Sequence, residues 1–247
     1  MGLTVTVLGC SGSYPGRDGA CSGYLVRSAN TTIWMDCGSG TMANLQRHTD
    51  LDAVDAVVVT HEHPDHWTDL ESFHVWAKYG PGTRGIPVYS PKSFRTLTPR
   101  KNLAPTFDWR VVADGDGVDI GDVAASFSRT DHGPETLAVR LDAAGEGGHA
   151  RSLGYSADSG PGWSLEALGP GVDLALCEAT LLSDREGKVP GHLSARQAGA
   201  TATAAGVGKL VLTHLWPTVD PTAAALEART TYDGPLGVAR LHDTYEV

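Results

Sequence analysis

The segment Thr60-His61-Glu62-His63-Pro64-Asp65-His66 places three imidazoles and a ligand-type carboxylate at its centre, directly after the apolar run Ala56-Val57-Val58-Val59. Neutral imidazole nitrogen and carboxylate oxygen are donors that zinc, manganese and iron all accept. Pro64 interrupts any helix through the cluster, so the segment reads as a strand-to-helix loop that can curl several donors toward one point. A polar surface loop that happens to carry histidines is the plainer alternative. Recurrence argues against it: His132, His192 and His214 stand alone in later segments, and Asp158 ends another strand-like run. Two metal ions need more donors than one loop provides, and these later residues could complete the set.

The elements that must position these residues are short strands bounded by Gly, Ser, Pro or Asn, expected over residues 3–8, 23–27 and 31–36. A helical stretch near residues 41–48 follows Gly38-Ser39-Gly40. Residues 56–60 form a continuous apolar run, as expected of a strand buried on both faces. A helix over residues 68–79 would place Phe73, Trp76 and Ala77 on one face. Residues 86–141 read as strand-rich, with one short helix after Pro91. Strands follow at 152–157, 172–177 and 209–213. Helices are expected at 194–205, with Ser194 as N-cap, and at 221–230, before a last strand at 237–241. Each half runs strands first and then alternates strands with helices. With no linker or low-complexity tract, a single domain over residues 1–247 is expected. Two sheets packed face to face with helices outside, an α/β fold of αββα layers, is the natural arrangement.

The bulk numbers narrow the partners. Against 19 basic side chains stand 29 acidic ones, a formal charge of −10. Such a chain repels a polyanion and has no dense Lys/Arg cluster to track a nucleic-acid backbone, so long nucleic acids are disfavoured. Bound cations would reverse the local field and admit a small anionic substrate. Cys10, Cys21, Cys37 and Cys177 are scattered and read as reduced thiols. With no membrane-length apolar run and no signal peptide, a cytoplasmic protein free of the membrane is expected. The opening Met1-Gly2-Leu3-Thr4-Val5-Thr6 fits a myristoylation pattern but reads better as the first buried strand. A homodimer is the default expectation for oligomeric state.

His61-x-His63-x-Asp65-His66 resembles the signature of the metallo-β-lactamase superfamily, and the likeness continues through four later segments in order. These are Ser128-Arg129-Thr130-Asp131-His132-Gly133, Tyr155-Ser156-Ala157-Asp158-Ser159-Gly160, His192-Leu193-Ser194-Ala195-Arg196-Gln197-Ala198-Gly199 and Leu212-Thr213-His214. The resemblance implies the four-layer metallo-β-lactamase fold. It also implies two divalent metal ions, expected to be zinc with manganese or iron also compatible. His61, His63 and His132 would hold the first, Asp65, His66 and His214 the second, and Asp158 would bridge them. The His192 segment is similar to the extra histidine motif of the ribonuclease Z branch, which implies that His192 donates a proton to the leaving oxygen. Glu178, in Cys177-Glu178-Ala179-Thr180, is then the carboxylate expected to orient it, or a satisfied structural carboxylate.

Leu8-Gly9-Cys10-Ser11-Gly12-Ser13 and Leu212-Thr213-His214-Leu215-Trp216-Pro217 add a resemblance to compact cyclic-nucleotide phosphodiesterases of this fold, the atypical class II group. The implied activity is two-metal hydroxide attack on a small phosphodiester such as 3′,5′-cyclic AMP, with Asp65, His192 and Glu178 as the catalytic set. A ribonuclease Z-like tRNA 3′-processing endonuclease is one alternative. Its long basic arm has no counterpart between His132 and Asp158, where only a hairpin with an acidic loop at 142–150 is expected. A metal-binding, nucleotide-sensing module without turnover is another, and the full donor set speaks against it.

Lesser features complete the reading. Asp36 is either a partner of a metal histidine or a cap of the glycine turn. Trp67, His74, Trp76 and Trp216 could wall a pocket in which a base stacks, though each also suits core or rim packing. His48, His149 and His242 read as surface residues. The glycine-rich Gly9-Cys10-Ser11-Gly12-Ser13 could present backbone N–H groups to a phosphate.

Overall fold

A computed structural model describes residues 2–80, 85–97, 106–145 and 150–247. Its first half supplies β1 (Thr4–Gly9), β2 (Gly23–Arg27), β3 (Thr32–Cys37), β4 (Ala56–Val58), β5 (Ile86–Ser90) and β6 (Phe107–Val111). Its second half supplies β7 (Gly117–Ile120), β8 (Val123–Arg129), β9 (Leu137–Ala144), β10 (Ala150–Tyr155), β11 (Leu174–Glu178), β12 (Lys209–Thr213) and β13 (Leu236–Val238). A last strand, β14 (Thr244–Glu246), returns to the first half. The sheets run β14-β1-β2-β3-β4-β5-β6 and β13-β12-β11-β10-β9-β8-β7.

Alternation along each strand makes the sandwich. Val5 and Val7 of β1, Ile33 and Met35 of β3, and Leu174 and Leu176 of β11 enter the core between the sheets. Their neighbours point the other way. Leu8, Trp34 and Cys37 pack outward with Leu45, Leu70 and Phe73, which belong to α1 (Thr41–Leu45) and α2 (Asp69–Tyr79). On the far side, Ala175, Cys177, Leu210 and Leu212 pack with Ala198 and Ala202 of α4 (Ala195–Ala204) and Ala224 and Ala228 of α5 (Pro221–Ala228). One further short helix, α3 (Lys92–Leu97), follows β5. Period-two burial on both faces therefore yields helix, sheet, sheet, helix, as expected from the sequence.

Both sheets share one plan. β1, β2 and β3 pair antiparallel, and β3 to β6 then pair parallel. β8, β9 and β10 pair antiparallel, and β10 to β13 then pair parallel. In a parallel set all carboxyl ends lie on one edge, where ligands of α/β proteins bind. The segments after β4, β10, β11 and β12 carry His61, Asp158, Thr180 and His214 on such edges.

Boundaries shift slightly from expectation. β11 starts two residues later than read and includes Glu178. The closing strand is Leu236–Val238, and β14 was not anticipated. α4 starts where Ser194 predicts: Ser194 and Gln197 form a reciprocal capping box. The β9–β10 hairpin expected between His132 and Asp158 is present, while residues 146–149 of its loop, with His149, lie outside the described residues. Among the described residues no helix is long and apolar enough to cross a membrane.

Candidate metal centre

Three strand ends turn sharply to deliver their side chains. Asp36, Ala157 and His214 all have positive φ, at 54°, 50° and 54°. Non-glycine residues rarely occupy this region, and where they do they concentrate at functional sites. Here the turn at Ala157 aims the next residue, Asp158, into the cleft between the sheets, and His214 itself follows β12.

Two donor groups result. The ligand atoms of His61, His63, His132 and Asp158 lie within 4.8 Å of one another, as do those of Asp65, His66 and His214. Asp158 stands between the groups with one oxygen toward each. Its Oδ2 is 3.6 Å from His61 Nε2 and 3.8 Å from His132 Nε2. Its Oδ1 is 3.2 Å from His66 Nε2 and 3.3 Å from His214 Nε2. Asp65 Oδ2 is likewise 3.3 Å from His214 Nε2. All seven residues that the sequence singled out as ligands are thus brought together.

Hydrogen bonds behind the cluster fix which nitrogen faces inward. His66 Nδ1 donates to Asp36 Oδ2 at 2.7 Å, and His132 Nδ1 donates to the Gly191 carbonyl at 2.8 Å. His214 Nδ1 donates to Thr180 Oγ1 at 2.8 Å. Thr60 Oγ1 donates to Asp36 and accepts from His61 Nδ1 at 3.1 Å. Each Nε2 is left to the cluster; His63 instead turns its Nδ1 toward His132 Nε2, 3.1 Å away. Occupying the outer nitrogen sets the tautomer of a metal histidine and holds its ring. Asp36 therefore serves a histidine and not the glycine turn.

The donor set fits divalent metal ions on an independent ground. His61 Nε2 and Asp158 Oδ1 are fully buried and have no hydrogen-bond partner. A buried polar atom left unmade costs about 1–3 kcal/mol, and both atoms point into the ligand group. Burial alone would raise the carboxyl pKa values of Asp158 and Asp65. The adjoining imidazoles outweigh it and hold both well below the usual carboxylate range. Burial, together with the neighbouring His66, pushes His61 down, toward the neutral form that ligates.

Beside the second group stands His192, ring-stacked on His214 with centroids 5.6 Å apart and planes 16° apart. Its Nδ1 lies 3.1 Å from Glu178 Oε1. Burial lowers its pKa, but the charge and hydrogen bond of Glu178 win and carry it to about 9. His192 is also close enough to Asp158 and His214 to be a ligand in its own right. Glu178 is fully buried and accepts from Ser159 N–H at 2.7 Å, Leu193 N–H at 3.2 Å and Thr180 Oγ1 at 2.6 Å. It is at once satisfied and in position to orient His192.

Sequence reasoning missed Thr180, whose hydroxyl joins His214, Glu178 and, at 3.3 Å, His192. The available signal was its place two residues after Glu178, the spacing that returns to one face of an extended chain. In the glycine-rich loop, Ser13 N–H donates to Asp65 Oδ2 at 2.9 Å. Gly12 is required there, since a Cβ would come within 2.4 Å of the His214 carbonyl oxygen. Of the expected pocket walls, Trp76 stacks on Phe73, His74 is buried near Phe107, and Trp67 packs on Phe94 while its Nε1 donates to the Glu62 carbonyl. Trp67 is thereby tied to the loop that carries His61 and His63, and Trp216 is tied to the cluster through Ser13. His48 and His242 are not isolated: His48 Nε2 lies 2.9 Å from His242 Nδ1.

Residues 31–215 match the family described as the Beta-lactamase superfamily domain. The chain belongs to this superfamily. Within it, the chain is 34% identical to the uncharacterized protein Rv1339 of Mycobacterium tuberculosis, over 100% of this chain and 93% of that one. It is 30% identical to YhfI of Bacillus subtilis, described as a probable metallo-hydrolase, over 96% of this chain and 97% of that one. The crystal structure of YhfI, a metallo-beta-lactamase fold protein, superposes with a TM-score of 0.88, covering 100% of both chains. A ribonuclease Z of Methanopyrus kandleri is 27% identical over 93% of each chain. This β-lactamase-superfamily chain is a metallo-hydrolase by family, and its His/Asp cluster is placed to hold metal.

Proposed function

We propose that the chain hydrolyses a small phosphodiester, with a cyclic nucleotide such as 3′,5′-cyclic AMP as the substrate that fits best. The observation that carries this reading is the placement of His192. It stands against the second donor group, its Nδ1 lies 3.1 Å from Glu178 Oε1, and the charge and hydrogen bond of Glu178 raise its pKa to about 9 against the burial that lowers it. His61, His63 and His132 would hold one divalent ion and Asp65, His66 and His214 another, with one Asp158 oxygen turned toward each group; zinc is the first expectation. When bound, the ions supply positive charge against the phosphate and make water a stronger nucleophile at neutral pH. His192 donates its Nε2 proton to the departing ribose oxygen, and Glu178 keeps the ring turned toward it. Asp65, the third member of the proposed catalytic set, is held in place by Ser13 N–H.

The charge of −10 and the short β9–β10 hairpin support a small substrate over a long nucleic acid. The 27% identity to a ribonuclease Z is the observation on the side of tRNA 3′ processing. Turnover decides between them. Purified, metal-analysed protein is expected to hydrolyse 3′,5′-cyclic AMP and bis(p-nitrophenyl) phosphate, to lose both on chelation and to regain both with a divalent ion. Cleavage of the generic ester alone would discard the cyclic nucleotide and keep the chemistry. His192→Ala should retain two metal ions while kcat on a poor leaving group falls about 10²–10⁴-fold. Loss of a metal ion from that variant would show His192 to be a ligand.

A further inference from the structure

We infer that the cavity beside Trp216 is the subsite for the nucleobase of the substrate, an inference that rests on the phosphodiesterase reading above. The cavity measures about 240 Å³ and is lined by Leu181, Leu182, Asp184, Arg185, Trp216 and Val219, together with Thr218. Three links run from its lining to the candidate metal centre. Leu181 follows Thr180, whose hydroxyl touches both His214 and His192. Trp216 lies two residues beyond His214, and its backbone N–H donates to the Thr180 carbonyl at 3.4 Å. Its indole Nε1 donates to Ser13 Oγ at 3.0 Å, and Ser13 N–H in turn holds Asp65. One indole therefore reaches from the edge of the metal cluster to the cavity.

The cavity's size and chemistry select the occupant. It falls below the roughly 300–1,000 Å³ of sites that enclose a whole drug-sized ligand. It suits one flat ring system whose attached phosphate lies outside, over the metal ions. Its walls are the indole of Trp216 and the aliphatic side chains of Leu181, Leu182 and Val219. A planar base stacks on such a surface through its π-face. At the rim, exposed Asp184 and Arg185 offer an acceptor and a donor fork to the polar edge of that base. A base also removes from water an indole that is otherwise partly exposed.

The test compares kcat/KM for 3′,5′-cyclic AMP with that for ribose 3,5-cyclic phosphate, which has the same diester and no base. Wild-type protein is expected to favour the nucleotide. Stacking of the usual strength corresponds to roughly a five- to hundredfold preference. Trp216→Ala and, separately, Val219→Trp, which fills the cavity, should each bring the ratio toward one. Trp216→Phe should keep part of it. Saturation-transfer NMR with adenosine on the wild-type protein should show ring protons in contact, lost in Val219→Trp. Equal rates on the two substrates in the wild type, or a ratio that survives both variants, would overturn the subsite and leave the phosphodiesterase reading standing. Failure of the metal-loaded wild type to hydrolyse either substrate would instead remove that reading.

Discussion

Thr180 has a single hydroxyl proton and several neighbours competing for it. At 2.6 Å Glu178 Oε2 takes that proton, so the oxygen is left to accept from His214 Nδ1 at 2.8 Å. The donor direction fixes His214 as the tautomer whose Nε2 faces Asp65 and Asp158. Thr180→Val keeps the shape and removes both bonds. It is expected to weaken binding of the second metal ion about 10–100-fold by calorimetric titration, with Thr180→Ser restoring it. Unchanged affinity in Thr180→Val would show that packing alone orients His214. The contrast with the ligands explains what the sequence disclosed. Histidine and aspartate announce their chemistry by type, so the cluster of His61, His63, Asp65, His66, His132, Asp158 and His214 was legible as a set that could hold metal. A threonine announces nothing, and Thr180 gains its role only when the end of β11 is set beside the end of β12. The pairing of His48 with His242 was hidden for the same reason, because 194 residues separate them.

The elements were legible wherever burial is periodic. Strands with both faces covered read as apolar runs, and Ser194 marked the start of α4 through a capping box that the structure contains. What escaped was the very short edge strand β14, whose three residues are too few to show a period and which is assigned by the partner it pairs with. The Ser194 cap has consequences for the site because His192 lies two residues before it. Ser194→Ala removes the bond to Gln197 N–H and the one to Glu186. Loss of such a cap costs about 1 kcal/mol, or roughly 2–4 °C in Tm for a chain of this size. Thermal unfolding checks this, and a shift in kcat beyond that seen at equal stability would mean the cap also aligns His192. In the β1–β2 loop, Gly12→Ala should perturb the site more than the fold. The added Cβ displaces the loop from His214 and from Asp65. Expected are a tenfold or greater loss of kcat/KM with far-UV circular dichroism unchanged.

At the scale of the whole molecule, the two halves repeat one plan but divide the ligands. His61, His63, Asp65 and His66 follow the first sheet, whereas His132, Asp158 and His214 follow strands of the second. Neither half holds a complete set of these candidate ligands, so metal ions held there would tie one sheet to the other. Chelation should lower Tm, and titrating metal back should raise it in proportion to the logarithm of free metal. Away from the site, His48 at the end of α1 meets His242 near β14. Partial burial and the positive surroundings of His242, Arg27 and Arg47 lower the pKa of His48. The folded state thus disfavours the charged form. This contribution to stability is intact above the unfolded pKa of about 6.5 and erodes as pH falls below it. His48→Asn should show a smaller loss of Tm between pH 7.5 and pH 5.5, on the order of one unit either side of that pKa, than the wild type.

Two tyrosines cross the space between the sheets in opposite directions. Tyr24 of β2 meets Thr213 of β12 at 2.6 Å, and Tyr155 of β10 donates to Asp36 of β3 at 2.9 Å. Their rings touch edge to face, with centroids 5.0 Å apart. Thr213 precedes His214, and Asp36 holds His66. The pair acts as a calliper: sliding one sheet over the other must move His66 relative to His214. The shape of the second donor group is thereby gauged by the thickness and shear of the sandwich, through tyrosines only one residue removed from His66 and His214.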